Sequence, residues 1–359
     1  MSKVRVLVVE DSLTVRKRLV EVIASDPALE LVGEGEHGKQ AIELCQALRP
    51  DVVTLDMNMP VMDGVMATEH IMGHFPTPIL IVSSSTNRGD LFKTYDALAA
   101  GAVDVLEKPH ADSPDGVWER KFLSTVKLVS RIRVITHIRA RLGSVGRAPA
   151  ARVEAPVPSV PPLTGPRRPI VALGASTGGP GALVDVLRAI PTGSTAAVLV
   201  VLHIDEPFSS AFADWLATQT AHAVSYARGG EPLSAAKGRV FMAPPGRHLT
   251  VENGQLWLND EPERHSCRPS VDVLFEGLAR SCAPDVVACL LTGMGRDGAE
   301  GLLALRRAGA HTIAQDEATS VIYGMPREAA LLGAAVRILP LSEIGPAVAR
   351  LSGKEFAER

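Results

Sequence analysis

The chain has 359 residues, enough for two or three domains of ordinary size, and its 46% hydrophobic and 21% charged residues suit a soluble protein that buries real cores. A net charge of −3 and a pI near 6.4 exclude bulk attraction to nucleic acid or to an anionic membrane. The longest unbroken aliphatic run, Ala196 to Leu202, is far below the ~20 residues that cross a bilayer, so membrane insertion is not expected.

At the N-terminus, Glu10 and Asp11 interrupt the apolar segment before any small-residue cleavage site, so no secretory signal is read there and the expected location is cytoplasmic. The four cysteines, Cys45, Cys267, Cys282 and Cys289, form no C-x-x-C pair and are expected to be free and reduced, with Cys289, inside the apolar run Val286–Leu291, a buried inert thiol.

From the N-terminus, apolar strand-like runs alternate with amphipathic segments. The runs are Val4–Val9, Leu29–Val32, Val52–Leu55, Ile79–Val82 and Val103–Leu106, and the helical patterns include Leu13–Ala24 and Gly38–Leu48. Continuous apolar strands alternating with helices predict a parallel sheet covered on both faces, here a flavodoxin-like α/β domain.

The strand ends carry a pattern. Glu10 and Asp11 follow the first run, Asp56 the third, Ser83 and Ser84 the fourth, and Lys108-Pro109 the fifth. Ligands in open parallel sheets sit beyond the carboxyl ends of the strands, so these side chains are expected on one rim. Three crowded carboxylates call for a cation, and an all-oxygen set suits Mg2+. Such a metal would shield Asp56 for attack on a phosphoryl donor, with a lysine and a serine hydroxyl to hold the transferred group.

Residues 3–125 therefore resemble a response-regulator receiver domain, through Val9-Glu10-Asp11-Ser12, Leu55-Asp56-Met57-Asn58-Met59-Pro60 with Asp63-Gly64, Val82-Ser83 and Lys108-Pro109. The resemblance implies Asp56 as phosphoacceptor and a histidine kinase as phosphodonor. It implies Glu10, Asp11, Asp56 and the backbone carbonyl of Asn58 as the Mg2+ site, and Ser83 with Lys108 as the switch pair. Many receivers carry an aromatic residue three positions before the lysine; here it is Val105.

The receiver is expected over residues 1–125. The segment Val117 to Leu142 carries apolar positions among arginines and lysines, and reads either as the receiver's last helix or as a docking helix. From Leu142 to Pro169 the chain is proline-rich and poor in large apolar residues, an extended linker. Residues 126–169 thus join the receiver to a second domain over 170–359.

That second domain repeats the alternation with runs at Ile170–Leu173, Ala197–Leu202, Val224–Tyr226, Arg239–Met242 and Val286–Leu291. A further pair, Leu249–Val251 and Gln255–Leu258, flanks Glu252-Asn253-Gly254, a hairpin signal. The expectation is a doubly wound parallel α/β domain with one antiparallel hairpin.

Gly174-Ala175-Ser176-Thr177-Gly178 follows a buried strand and precedes a helix, with the G-x-S-x-G spacing that exposes a nucleophilic serine. Neither G-x-G-x-x-G nor G-K-[ST] is present. A serine needs a base, and His203 directly follows the long run Ala197–Leu202, on the rim expected for Ser176. His248 is the rival base, in the loop Ala243–His248. Asp297, in Thr292–Gly298 after another strand, would fix the tautomer of the imidazole; its alternative role is N-cap of a helix starting near Ala299. Glycines beside it would let backbone N–H groups form an oxyanion hole.

Residues 170–350 resemble the catalytic domain of chemotaxis protein-glutamate methylesterases, the CheB family. The motifs are Gly174–Gly179, Leu202-His203-Ile204, Ala243–His248, Arg268-Pro269-Ser270-Val271-Asp272, Leu291–Ala299, Ala314–Glu317 and Tyr323–Pro326. The resemblance implies hydrolysis of glutamate γ-methyl esters on chemoreceptors, and deamidation of receptor glutamines. It implies Ser176, His203 and Asp297 as the triad, the N–H groups of Thr177 and Met294 as the oxyanion hole, and no cofactor for the esterase. A phosphorylation-dependent adaptor and a nucleotide-binding oxidoreductase are the competing readings, the second weakened by the missing fingerprints.

Overall fold

The computed structural model describes residues 3–84, 87–109, 116–132, 134, 169–236 and 238–352. The expected linker up to residue 168, and residues 135–142 of the suggested docking helix, lie outside the described residues. The chain divides into two units, Met1–Leu142 and Gly143–Arg359.

In the first unit, strands β1 (Val4–Val9), β2 (Leu29–Gly35), β3 (Val52–Leu55), β4 (Ile79–Ser83) and β5 (Asp104–Glu107) form one sheet. Its order is β2-β1-β3-β4-β5, with every pairing parallel. Helices α1 (Leu13–Ala24), α2 (Gly38–Leu48), α3 (Gly64–His74), α4 (Arg88–Ala99) and α5 (Val117–Val129) are the crossovers and the closing helix. All four residues of β3 are buried, which is why the strand reads as an unbroken apolar run. Helix α3 starts where it does because the Asp63 carboxylate accepts from Met66 N at 3.0 Å. This is the expected flavodoxin-like order. It reverses direction between β1 and β3, so their carboxyl ends open a crevice.

The second unit holds β6 (Ile170–Ala175), β7 (Ala197–Leu202), β8 (Ala223–Tyr226), β9 (Arg239–Met242), the hairpin β10 (His248–Glu252) and β11 (Gln255–Asn259), then β12 (Val286–Leu290), β13 (His311–Gln315) and β14 (Arg337–Leu339). Seven of these form a parallel sheet of order β14-β13-β12-β6-β7-β9-β8. The helices are α6 (Gly179–Ala189), α7 (Glu206–Ser209), α8 (Phe212–Thr220), α9 (Val271–Ser281), α10 (Ala299–Arg307), α11 (Met325–Leu331) and α12 (Leu341–Leu351). Every residue of β6, β7 and β12 is buried, and these three strands carry the site.

The hairpin turns through Asn253 and Gly254, both at positive φ (48° and 74°), the two-residue turn that matches strand twist. The sequence reading missed β13 and β14. The second direction reversal lies between β6 and β12, so the residues after both strands face one crevice. No helix among the described residues is long and apolar enough to cross a membrane.

Candidate active site

At the first crevice, the ligand atoms of Glu10, Asp11 and Asp56 lie within 4.8 Å of one another. Lys108 reaches in from the end of β5, with Nζ 2.9 Å from Glu10 Oε2 and 3.0 Å from Asp56 Oδ1. Asp56 Oδ1 also accepts from Met57 N at 2.7 Å. Burial is the largest influence on both inner carboxyls. It pushes Glu10 up to about 7, aided by the charge of Asp56 and opposed by Lys108. It also raises Asp56 against the pull of Lys108. For Lys108, burial works against the charge, but Asp56 and Glu10 outweigh it and hold the ammonium above its usual range.

Ser83 Oγ is buried and has no hydrogen-bond partner among the described residues, an oxygen left over for a ligand. The Asn58 side chain turns to α4 instead, donating to Asp90 Oδ1 (2.7 Å) and accepting from Lys93 Nζ (2.8 Å). The backbone carbonyl of Asn58 is the group the receiver resemblance assigns to metal. Crowded, desolvated oxygen ligands with an orphaned hydroxyl beside them fit a small hard dication and a phosphoryl group. Val105 is buried in the place of the receiver aromatic.

At the second crevice the sheet register does the positioning. Ala175 pairs with Leu202, so Ser176 and His203 are the next residues on adjacent strands, and His203 N donates to Ala175 O at 3.0 Å. On the other side Ser176 N donates to Thr292 O at 3.0 Å. A Cβ on Gly293 would stand 2.7 Å from Ser176 Cβ and 2.4 Å from Met325 Sδ, so the loop after β12 passes this close only as glycine.

His203 Nε2 donates to Asp297 Oδ2 at 2.9 Å. Asp297 is 2% exposed, yet both oxygens are saturated. Oδ1 accepts from Ser270 Oγ (2.7 Å) and Asp272 N (3.2 Å), and Oδ2 also from Val271 N (2.7 Å). The carboxylate thus sits against the N-terminus of α9, where backbone N–H groups favour an anion. The alternative role as cap of the following helix is not what is found: Gly298 occupies that position, with no side-chain cap.

Burial would raise Asp297, but the bonds from His203, Ser270 and Val271 hold it below the usual carboxylate range. For His203, burial opposes the charged form, and the Asp297 bond followed by the Cys267 contact outweighs it and holds the ring up at about 9.

The structure joins His203 to Asp297 but places no hydrogen bond between the Ser176 hydroxyl and the imidazole among the described residues; His203 Nδ1 faces Cys267 Sγ at 3.7 Å. Neither Thr177 N nor Met294 N donates to a protein acceptor among the described residues. The rival His248 is fully buried, its Nδ1 accepting from Ser270 N (3.1 Å) and Nε2 facing Pro262 O (3.2 Å), so it holds two loops together.

Sequence reasoning gave no role to Ser270, which fixes Asp297, or to Gln315, whose Oε1 accepts from Thr292 N at 2.8 Å and steadies the loop beside Ser176. Both lie inside motifs that were legible, so position in those motifs was the available signal. Cys267 was expected only to be free and reduced, and its place against His203 had no signal in the spacing. A cleft of about 300 Å3 opens at this point, lined by His265, Cys267, Met294, Arg296 and Asp297 among others.

Comparison with known proteins follows the same two units. The CheB methylesterase family model matches residues 171–348, and the response regulator receiver domain model matches residues 6–114. The protein-glutamate methylesterase/protein-glutamine glutaminase 2 of Anaeromyxobacter dehalogenans is 42% identical over 351 residues, covering 97% of both chains. The protein-glutamate methylesterase/protein-glutamine glutaminase of Nitrosospira multiformis is 43% identical over 356 residues, again covering 97% of both. Among solved structures, the Thermotoga maritima CheB methylesterase catalytic domain is 31% identical, with a TM-score of 0.49, covering 51% of this chain and 98% of that one. With relatives this similar along almost its whole length, the chain belongs to the CheB methylesterase family and is a hydrolase that carries a response-regulator receiver domain.

Proposed function

We propose that this chain is a phosphorylation-activated protein-glutamate methylesterase that hydrolyses glutamate γ-methyl esters on chemoreceptors in the cytoplasm and deamidates receptor glutamines at the same site. The observation that carries the reading is the sheet register that sets Ser176 beside His203, with Asp297 behind the ring.

Ser176 Oγ attacks the ester carbonyl while the imidazole nitrogen not engaged by Asp297 takes the hydroxyl proton. That contact forms as substrate fills the cleft, since catalytic hydrogen bonds are often long in free enzymes. The unclaimed N–H groups of Thr177 and Met294 receive the developing oxyanion. His203 then protonates the departing methoxide, and methanol leaves an acyl-serine. Water attacks by the same route, giving glutamate and restoring Ser176. With a glutamine side chain, ammonia leaves in place of methanol.

In the receiver, Asp56 accepts the phosphoryl group from a histidine kinase or a small phosphodonor. Glu10, Asp11, Asp56 and the Asn58 carbonyl would hold Mg2+, which when bound neutralises the crowded carboxylates for that transfer. Lys108 then exchanges a carboxylate for phosphoryl oxygens, and the unpartnered Ser83 hydroxyl donates to them. This added charge shifts the receiver's balance between holding back and releasing the esterase. Residues 1–125 act as the regulatory domain, 126–169 as connector and 170–359 as the catalytic domain.

The test is methanol release from methylated receptor membranes. Ser176→Ala is expected to lower the rate by about 10⁴-fold or more, and a folded variant with full activity would overturn the nucleophile assignment.

A further inference from the structure

Neither the hydrolysis nor the core uses the thiol of Cys267. It is half-buried in the wall of the cleft, whereas Cys45 and Cys289 are buried away from solvent. A tight turn presents it: Arg264 and Cys267 exchange backbone hydrogen bonds (3.1 and 2.9 Å), with His265 and Ser266 between them at φ of 52° and 60°. Arg264 is anchored in turn to Glu276 (2.7 Å) and Glu300 (3.1 Å).

The turn holds Cys267 Sγ 3.7 Å from His203 Nδ1. A thiolate sulfur and an imidazole nitrogen are the donors Zn2+ favours. Bonds of about 2.3 Å to sulfur and about 2.0 Å to nitrogen, set at a tetrahedral angle, place the two donors about 3.5 Å apart. On the far side of the ring, Nε2 already donates to Asp297, the outer carboxylate that orients a metal-binding histidine. The ligand atoms of His203, Cys267 and Asp297 all lie within 4.8 Å of one another. Asp297, with four hydrogen bonds already accepted, serves as the outer partner, and the cleft gives entry and room for water as the remaining ligands.

We propose that His203 Nδ1 and the Cys267 thiolate form a binding site for a thiophilic divalent cation, Zn2+ foremost, whose occupancy withdraws the imidazole from catalysis and inhibits the esterase. Binding the ion displaces the thiol proton and, where the ring is still charged, the Nδ1 proton of His203 to water, and involves no change of oxidation state. The inhibition, but not the binding, rests on the role of His203 as base proposed above.

The experiment uses the full chain with Mg2+ in excess, so that the receiver carboxylates do not compete. Co2+ is titrated as a spectroscopic probe for thiolate-to-metal absorption, and Zn2+ is titrated against ester release. Wild type is expected to bind one thiolate-ligated Co2+ per chain and to lose at least tenfold in ester release with Zn2+, reversed by a chelator. Cys267→Ala is expected to lack the absorption and to keep its own metal-free rate within twofold when Zn2+ is added. The same absorption in Cys267→Ala, or none in wild type, overturns the site. A missing absorption alongside a His203-dependent esterase overturns the site alone. Binding at Cys267 that leaves ester release untouched overturns the inhibition.

Discussion

Asp56 and Asp297 occupy matching places in their two sheets, each beyond a strand that borders a direction reversal, and they are almost equally sealed, at 3% and 2% exposed. Their surroundings differ. Asp56 has one backbone N–H and one shared ammonium, too little to offset its burial and the charge of Asp11 nearby, so its charged form is disfavoured. Asp297 has a hydroxyl, two helix N-terminal N–H groups and an imidazole, so its charged form is favoured. Burial alone therefore says little about a carboxylate's task. An under-compensated one stands ready to take a cation and a new group, and a saturated one stays ionised and holds its partner still.

The sharpest way to break this contrast is Asp297→Asn. The amide cannot favour the imidazolium or fix the tautomer, so kcat for ester release is expected to fall by about 10⁴-fold. A variant that keeps a tenth of the activity would mean that the carboxylate is not needed.

The pH dependence of the wild type sharpens the same point. His203 must be neutral to act as a base, and it is held up at about 9. Its proton is lost only as pH rises through that value, so kcat/KM is expected to climb about tenfold per unit up to pH ~9 and then level. In Asp297→Asn the residual activity should level at lower pH, since the largest upward influence on the ring is gone. A wild-type profile flat from pH 7 upward would contradict the pairing.

Ser270→Ala removes one charge-assisted donor from Asp297. A bond of that kind contributes about 1.5–3 kcal/mol, so turnover is expected to fall about tenfold or more with KM unchanged, and Ser270→Thr to restore most of it. Loss of KM alone would point to substrate contact instead.

The smallest effect is on the receiver. An acid raised in the folded state costs stability when ionised, and the cost is relieved as pH falls or when a neutral group replaces it. Asp56→Asn is accordingly expected to stabilise the receiver at neutral pH by on the order of 1 kcal/mol, read as a higher urea midpoint. A lowered midpoint would mean that the Lys108 pairing outweighs the crowding.

Much of this contrast was legible in the residues. Strands buried on both faces read as unbroken apolar runs; the residue after a run named Asp56 and His203 directly, and the G-x-S-x-G spacing after another run named Ser176. β14 was missed because it is a three-residue edge strand with Arg337 and Ile338 exposed, so it carries no such run. What surrounds Asp297 was also out of reach. Ser270 and Val271 meet it only because α9 packs its N-terminus against β6, where a Cβ on Gly174 would stand 2.3 Å from Val271. Cys267 is brought to His203 by a turn with two positive-φ residues and no glycine, so its conformation left no mark in composition.

The most direct test of the whole account is the rate of methanol release from methylated receptor membranes, with and without a small phosphodonor, for wild type and Asp56→Asn. The account predicts a rate that the phosphodonor raises in wild type and leaves unchanged in the variant. An unresponsive wild type, or a variant that responds equally, would contradict it.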